Sequence, residues 1–125
     1  MESHLNLKSV VLTSDDPERV AHFYREVVGL DIAPERHRGA ERHHAGQVGE
    51  LHFAVHPRQG FWLPGDSAAT IVSFTDDVAR AEARLAAHGV PVVARNQIGP
   101  MPFVAVRDPD GRYVCFGAPW PGAAR

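Results

Sequence analysis

Apolar and polar positions alternate from Leu7 to Thr13, and the period then changes. Val20, Phe23, Tyr24 and Val27 recur at i, i+3, i+4 and i+7, the stripe of a helix buried on one face. Asp15 or Asp16 suits its N-cap, Pro17 its first helical position and Gly29 its C-terminal stop. Alternation resumes afterwards: Leu30 to His37 and Glu41 to Gly46 read as a hairpin across Gly39 and Ala40, and Glu50 to His56 as a further strand. About 61 residues on, the order begins again. Ala69 to Thr75 is β-rich, Asp76 or Asp77 caps a helix with Val78, Ala81 and Leu85 as its stripe, and His88 beside Gly89 sits where its charged form suits a helix C-terminus. Val90 to Arg95, Phe103 to Val106 and Tyr113 to Phe116 follow as strands, the last two joined by the turn Asp108-Pro109-Asp110-Gly111.

The pattern is βαβββ twice, which predicts an α+β fold of two tandem modules forming a concave mixed sheet. The expected organisation is one domain over 1–125, with module 1 at about 5–56, a connector at 57–66, module 2 at about 67–118 and a tail at 119–125. Alternation also assigns faces. Leu51, Phe53 and Val55 go to one side of their strand, and Glu50, His52, Ala54 and His56 to the other. Val10 and Leu12 oppose Ser9, Val11 and Thr13, and Val114 and Phe116 oppose Tyr113 and Cys115. One face takes the helix. The other carries small, aromatic and ionisable groups, the lining of a ligand cavity.

Composition narrows the partners. In 125 residues, 13 Lys plus Arg face 15 Asp plus Glu, so no basic footprint exists for nucleic acid. The longest apolar runs are too short for a membrane span, and the first residues lack the marks of a signal peptide, which predicts a cytoplasmic protein. One cysteine, Cys115, permits neither an internal disulfide nor a Cys-pair zinc motif, and no neighbour in sequence supplies a base to activate it. Of the eight histidines, His43 and His44 stand near Arg36, His37, Arg38 and Arg42, where the echo of Glu35-Arg36-His37 in Glu41-Arg42-His43 reads as solvated strand edges. Phe61 and Trp62 in the connector read either as a core plug or as an aromatic shelf for a planar ligand.

Ser9-Val10-Val11-Leu12-Thr13, Pro17-Glu18-Arg19, His22-Phe23-Tyr24 and Val28-Gly29-Leu30 resemble the opening strand, helix and stop of the vicinal oxygen chelate superfamily, the group of glyoxalases, bleomycin-resistance proteins and dioxygenases. Ala81-Glu82-Ala83-Arg84-Leu85 through Gly89-Val90, and Asp108-Pro109-Asp110-Gly111, resemble its second helix and final turn, so the likeness spans about residues 7 to 118. In metal-dependent members, the resemblance implies, a divalent cation is held at positions that fall here on Ser9, His52, Thr70 and Cys115. Only His52 is an ordinary ligand for such an ion, so a complete metal site and any other cofactor are not expected, and His52 is the first ligand if a displaced site exists.

Two expectations follow. In the first, the chain is a metal-free binding protein for a small, aromatic organic molecule, with Ser9, Val11, His52, Ala54, His56, Trp62, Thr70, Phe103, Tyr113 and Cys115 as lining. In the bleomycin-resistance branch paired modules assemble across chains, so the resemblance implies a homodimer whose cavities are built from both subunits. In the second, the chain is an enzyme of lyase, isomerase or dioxygenase type, with His52 as a base and Glu50 or His56 as its partner on the same strand face, with or without an altered metal site.

Overall fold

The computed structural model describes residues 5–35, 42–66, 69–98 and 101–119. The turn at Gly39 and Ala40, the basic residues 36–38, Glu41 and the tail beyond 119 lie outside them. The chain divides into two compact units, Met1–Asp66 and Ser67–Arg125. Unit 1 runs β1 (Ser9–Ser14), α1 (Pro17–His22, continued by a π-helical stretch Phe23–Val28), β2 (Ala33–Glu35), β3 (His43–Val48) and β4 (Leu51–Pro57). Unit 2 runs β5 (Ile71–Thr75), α2 (Val78–Ala87), β6 (Ala94–Ile98), β7 (Met101–Arg107) and β8 (Tyr113–Gly117). This is the βαβββ order, twice.

Each unit holds a four-stranded sheet, ordered β1-β4-β3-β2 in the first and β5-β8-β7-β6 in the second. The first strand pairs parallel to the last, and the remaining pairs are antiparallel. A parallel pair needs a crossover, which the helix supplies while covering one sheet face. In α1, Asp16 accepts from the Arg19 backbone N–H at its N-cap, and Pro17 takes the first turn. The stripe Val20, Phe23, Tyr24 and Val27 is buried, with the Tyr24 ring 5.2 Å from that of Phe53 on β4. The end of this helix widens, the Gly29 N–H reaching back to the Tyr24 carbonyl, and Gly29 stops it at φ 94°, a value that favours glycine.

Unit 2 repeats the arrangement with a thinner stripe. Asp77 caps α2, Ala81 and Leu85 are buried, and the Arg84 guanidinium lies over Phe116 while bonding Asp76 at 2.9 Å. His88 closes the helix, its Nδ1 3.0 Å from the Arg84 carbonyl oxygen. The turn after β7 hides a feature that the sequence pattern did not announce. Arg112 is fully buried, with its guanidinium 3.0 Å from Asp108 and 3.2 Å from Asp110.

The strand limits differ from expectation where turn residues blur alternation. The second strand shortens to Ala33–Glu35 among the described residues, and the strand expected at Val90 to Arg95 begins at Ala94. Glu50, expected on the strand face with His52, stands in the turn before β4 and is exposed. The largest departure concerns the histidine pair. His43 and His44 are 2% and 1% exposed, not solvated, because β3 is an inner strand of its sheet.

Candidate functional site

In unit 1 the helix covers Leu12, Phe53 and Val55, so Ser9, Val11 and Thr13 of β1 and His52, Ala54 and His56 of β4 look away from it. The free side of β1 and the connector after β4 enclose a cleft of about 510 Å³. Val11, Phe61, Trp62 and Leu63 supply its apolar surface, and Ser9, Thr13, His56 and Asp66 its polar groups. The connector is tied down across β1. Asp66 Oδ1 accepts from the backbone N–H and the hydroxyl of Thr13 at 2.6 and 2.9 Å, while Arg58 donates to the Thr13 carbonyl at 3.0 Å and meets Asp15 at 3.1 Å.

A row of side chains crosses this sheet at one level. Thr13 pairs with His56, the His56 ring stacks on His43 with centroids 4.1 Å apart and planes 9° from parallel, and His43 Nε2 meets Glu35 Oε1 at 2.9 Å. Phe61 leans on His56 at 5.3 Å, and Trp62 follows at 6.4 Å. The connector aromatics are therefore an extension of a ring stack rooted in the sheet, and Trp62, 82% exposed, is no core plug. On the opposite side of β3, His44 faces Glu18 of α1 with Nε2 3.1 Å from the carboxylate, too poorly aligned for a hydrogen bond at either ring nitrogen.

In unit 2 the free sheet face forms a cleft of about 530 Å³, lined by Ile71, Met101, Pro102, Phe103 and Pro119 with Ser73, Thr75 and Cys115 as its polar groups. Ser73 and Cys115 are paired across β5 and β8. Gly117 lets Phe103 lie close to the sheet, since a Cβ there would meet the Phe103 Cβ at 3.0 Å. Burial pushes the Cys115 thiol above its ordinary range, and the hydrogen bond with Ser73 offsets this only in part. The thiol thus stays protonated at neutral pH.

The structure brings Ser9, Val11, His56 and Trp62 to one cleft, and Phe103 and Cys115 to the other. His52 is exposed beside its register partner Ser9, outside the cleft lining. Ala54 is fully buried, Thr70 lies just before β5, and Tyr113 is held under the Arg107 guanidinium, which donates to its hydroxyl at 2.7 Å. Sequence reasoning set Thr13 on the free face without naming it a site residue, and it missed Asp66 and the pair His43 and Glu35. The one signal for the last was the even spacing of His43 with Ala45 and Gln47 on the strand face, masked by the charged residues around it.

The four positions that the family resemblance assigns to a metal carry a donor set that does not fit one. Ser9 and Thr70 carry neutral hydroxyls, Cys115 a thiol, and His52 alone an imidazole. Among the described residues no three His, Cys, Asp or Glu side chains gather to hold an ion.

The family model described as Glyoxalase/Bleomycin resistance protein/Dioxygenase superfamily matches residues 6–116. No curated protein matches the chain. Among solved structures, a lactoylglutathione lyase from Agrobacterium tumefaciens is 21% identical with a TM-score of 0.71, over 90% of this chain and 92% of that one. TnmS3, an antibiotic-binding protein from Streptomyces sp. CB03234, is 21% identical with a TM-score of 0.72, over 95% and 99%. A glyoxalase/bleomycin resistance protein/dioxygenase from Nocardioides is 18% identical with a TM-score of 0.71, over 98% and 88%. Likeness at this identity is likeness of fold.

Proposed function

The chain belongs to the Glyoxalase/Bleomycin resistance protein/Dioxygenase superfamily, and from that premise we propose that it binds a small, flat organic molecule without a catalytic metal. The observation that carries this reading is the pair of open sheet clefts, each of small-ligand size and each lined chiefly by apolar side chains with a few polar groups among them. Burial of aromatic surface supplies the affinity, and the few polar groups fix orientation. The antibiotic-binding structural neighbour supports the reading, and the poor fit of Ser9, His52, Thr70 and Cys115 to a cation favours it over an enzyme of lyase or dioxygenase type. Family resemblance extends the proposal to a homodimer, which light scattering of the purified protein tests.

A panel of flat aromatic compounds, read by thermal shift, tests binding. A true ligand at a hundredfold excess over its Kd stabilises the protein by about 2.7 kcal/mol. Elemental analysis and metal add-back run beside it. Saturable, stoichiometric metal uptake that is lost in His52→Ala, with no response to any aromatic compound, overturns the proposal.

A further inference from the structure

The two free sheet faces share a strand order and differ in charge. Residues paired across neighbouring strands point to the same side, so the register lays out the free face of unit 2 in rows. The Ser73 row continues into Cys115 and Ala105, and the Thr75 row into Gly117 and Phe103. The Ile71 row ends in Arg107, the one charged side chain of this face among the described residues. Arg107 stands outside the cleft lining, folded over the Tyr113 ring at 4.4 Å, with its guanidinium donating to the Tyr113 hydroxyl at 2.7 Å and the Gly111 carbonyl at 3.2 Å. The described lining therefore holds no charged side chain, and its polar side-chain atoms are the hydroxyls of Ser73 and Thr75 and the Cys115 thiol. The unit 1 cleft, by contrast, has Asp66 and His56 in its wall.

An ion that enters an apolar cleft gives up its hydration and needs an opposite charge in return; where none lines the cleft, the cost exceeds what ring contact supplies. A neutral polar group has no such need, because a hydroxyl both donates and accepts. The walls suit a flat ring: Phe103 lies close over Gly117, and Met101 beside it is an adaptable side chain. We propose that the unit 2 cleft selects uncharged aromatic ligands and turns away ionised ones of the same shape. The inference rests on the binding reading above and adds the cleft and the ligand class.

The test uses 2-naphthamide, 2-naphthoate and 2-naphthylmethylammonium, one ring system with a neutral, an anionic and a cationic side group. Cys115 is the only cysteine of the chain and lines this cleft, so the slowing of its alkylation by N-ethylmaleimide at neutral pH, followed over hours by mass spectrometry, reads occupancy here. The amide is expected to protect Cys115 at concentrations on the order of tenfold or more below those that either ion requires. Ser73→Asp sets a carboxylate on the cleft floor and is expected to make the ammonium the strongest protector. Phe103→Ala removes a wall and is expected to weaken protection by the amide on the order of tenfold. Either ion protecting as well as the amide, no protection by any of the three, or a folded Ser73→Asp protein with the order unchanged overturns the inference. Where Ser73→Asp does not fold, amide protection untouched in Phe103→Ala overturns it. Cys115 that stays unreactive without ligand at every pH where the protein is folded shows another surface covering the cleft, and overturns it too. A naphthamide that raises the melting temperature without shielding Cys115 sinks the inference and leaves the binding reading intact, whereas a thermal-shift panel with no response removes the reading itself.

Discussion

Replacing Asp108 by Ala takes a buried carboxylate from a buried arginine, and the structure allows its cost to be worked out. The Arg112 guanidinium and the Asp108 carboxylate are both buried at 3.0 Å, and Asp108 Oδ1 also accepts from the backbone N–H groups of Asp110 and Arg112 at 2.9 and 3.0 Å. Breaking a buried pair by deleting one partner costs about 3–5 kcal/mol. Asp110, 3.2 Å away and only partly buried, retains some of the attraction, which favours the lower end of that range. The backbone N–H of Arg112 loses its Asp108 acceptor, which adds about 1 kcal/mol or more, for a total near 4 kcal/mol. With a urea slope of about 2 kcal/mol per molar, the unfolding midpoint falls by roughly 2 M. The double variant Asp108→Ala with Arg112→Met removes the buried guanidinium as well and is expected to recover a good part of this loss. A loss below about 1 kcal/mol for the single variant, or a double variant no better than the single, refutes the reasoning.

Three further outcomes follow from the same geometry. Gly46→Ala sets a Cβ against the Asp31 carbonyl oxygen, a backbone atom that cannot move aside cheaply, and is expected to cost about 1–3 kcal/mol or more by thermal melting. His44→Leu replaces a buried imidazole that makes no hydrogen bond, and is expected to leave stability unchanged or raise it; a loss above about 2 kcal/mol would show that the contact with Glu18 is a working ion pair. Cys115, its thiol pushed up by burial, is expected to react slowly with iodoacetamide near neutral pH and to speed up only above the ordinary thiol range. The sign for stability follows: the folded state holds this proton more tightly than the unfolded one, so the contribution is complete at neutral pH and is lost as pH rises past the unfolded thiol's value. A fast reaction at pH 7 refutes the assignment.

The helix stripes, caps and repeat were legible because each rests on local chemistry: Asp16 with Pro17, Asp77, and Gly29 all act within a few residues of themselves. Alternation likewise placed Ser9, Val11 and His56 on the free face. It could not place Asp66, whose partner Thr13 lies far away in the chain, nor reveal that His43 sits on an inner strand between Glu35 and His56. Charged neighbours in sequence suggested water around His43 and His44, yet sheet order, a long-range property, decided their burial. Arg112 was hidden for a similar reason. A lone arginine after an Asp-Pro-Asp-Gly turn looks like surface until the carboxylates fold back onto it.

The parallel pairing of the first strand with the last has a kinetic side. Ser9 meets His52 only after a loop of roughly 40 residues has closed, whereas β3 and β4 are joined by a tight turn and can zip at once. β1 is therefore the last strand of its sheet to be seated, and it lies at one edge. It is also the strand that gives the cleft Ser9, Val11 and Thr13. A molecule held there grips a late-seated edge strand, so occupancy acts as a latch: it should slow hydrogen exchange along β1 well before it changes the exchange of β3 or β4.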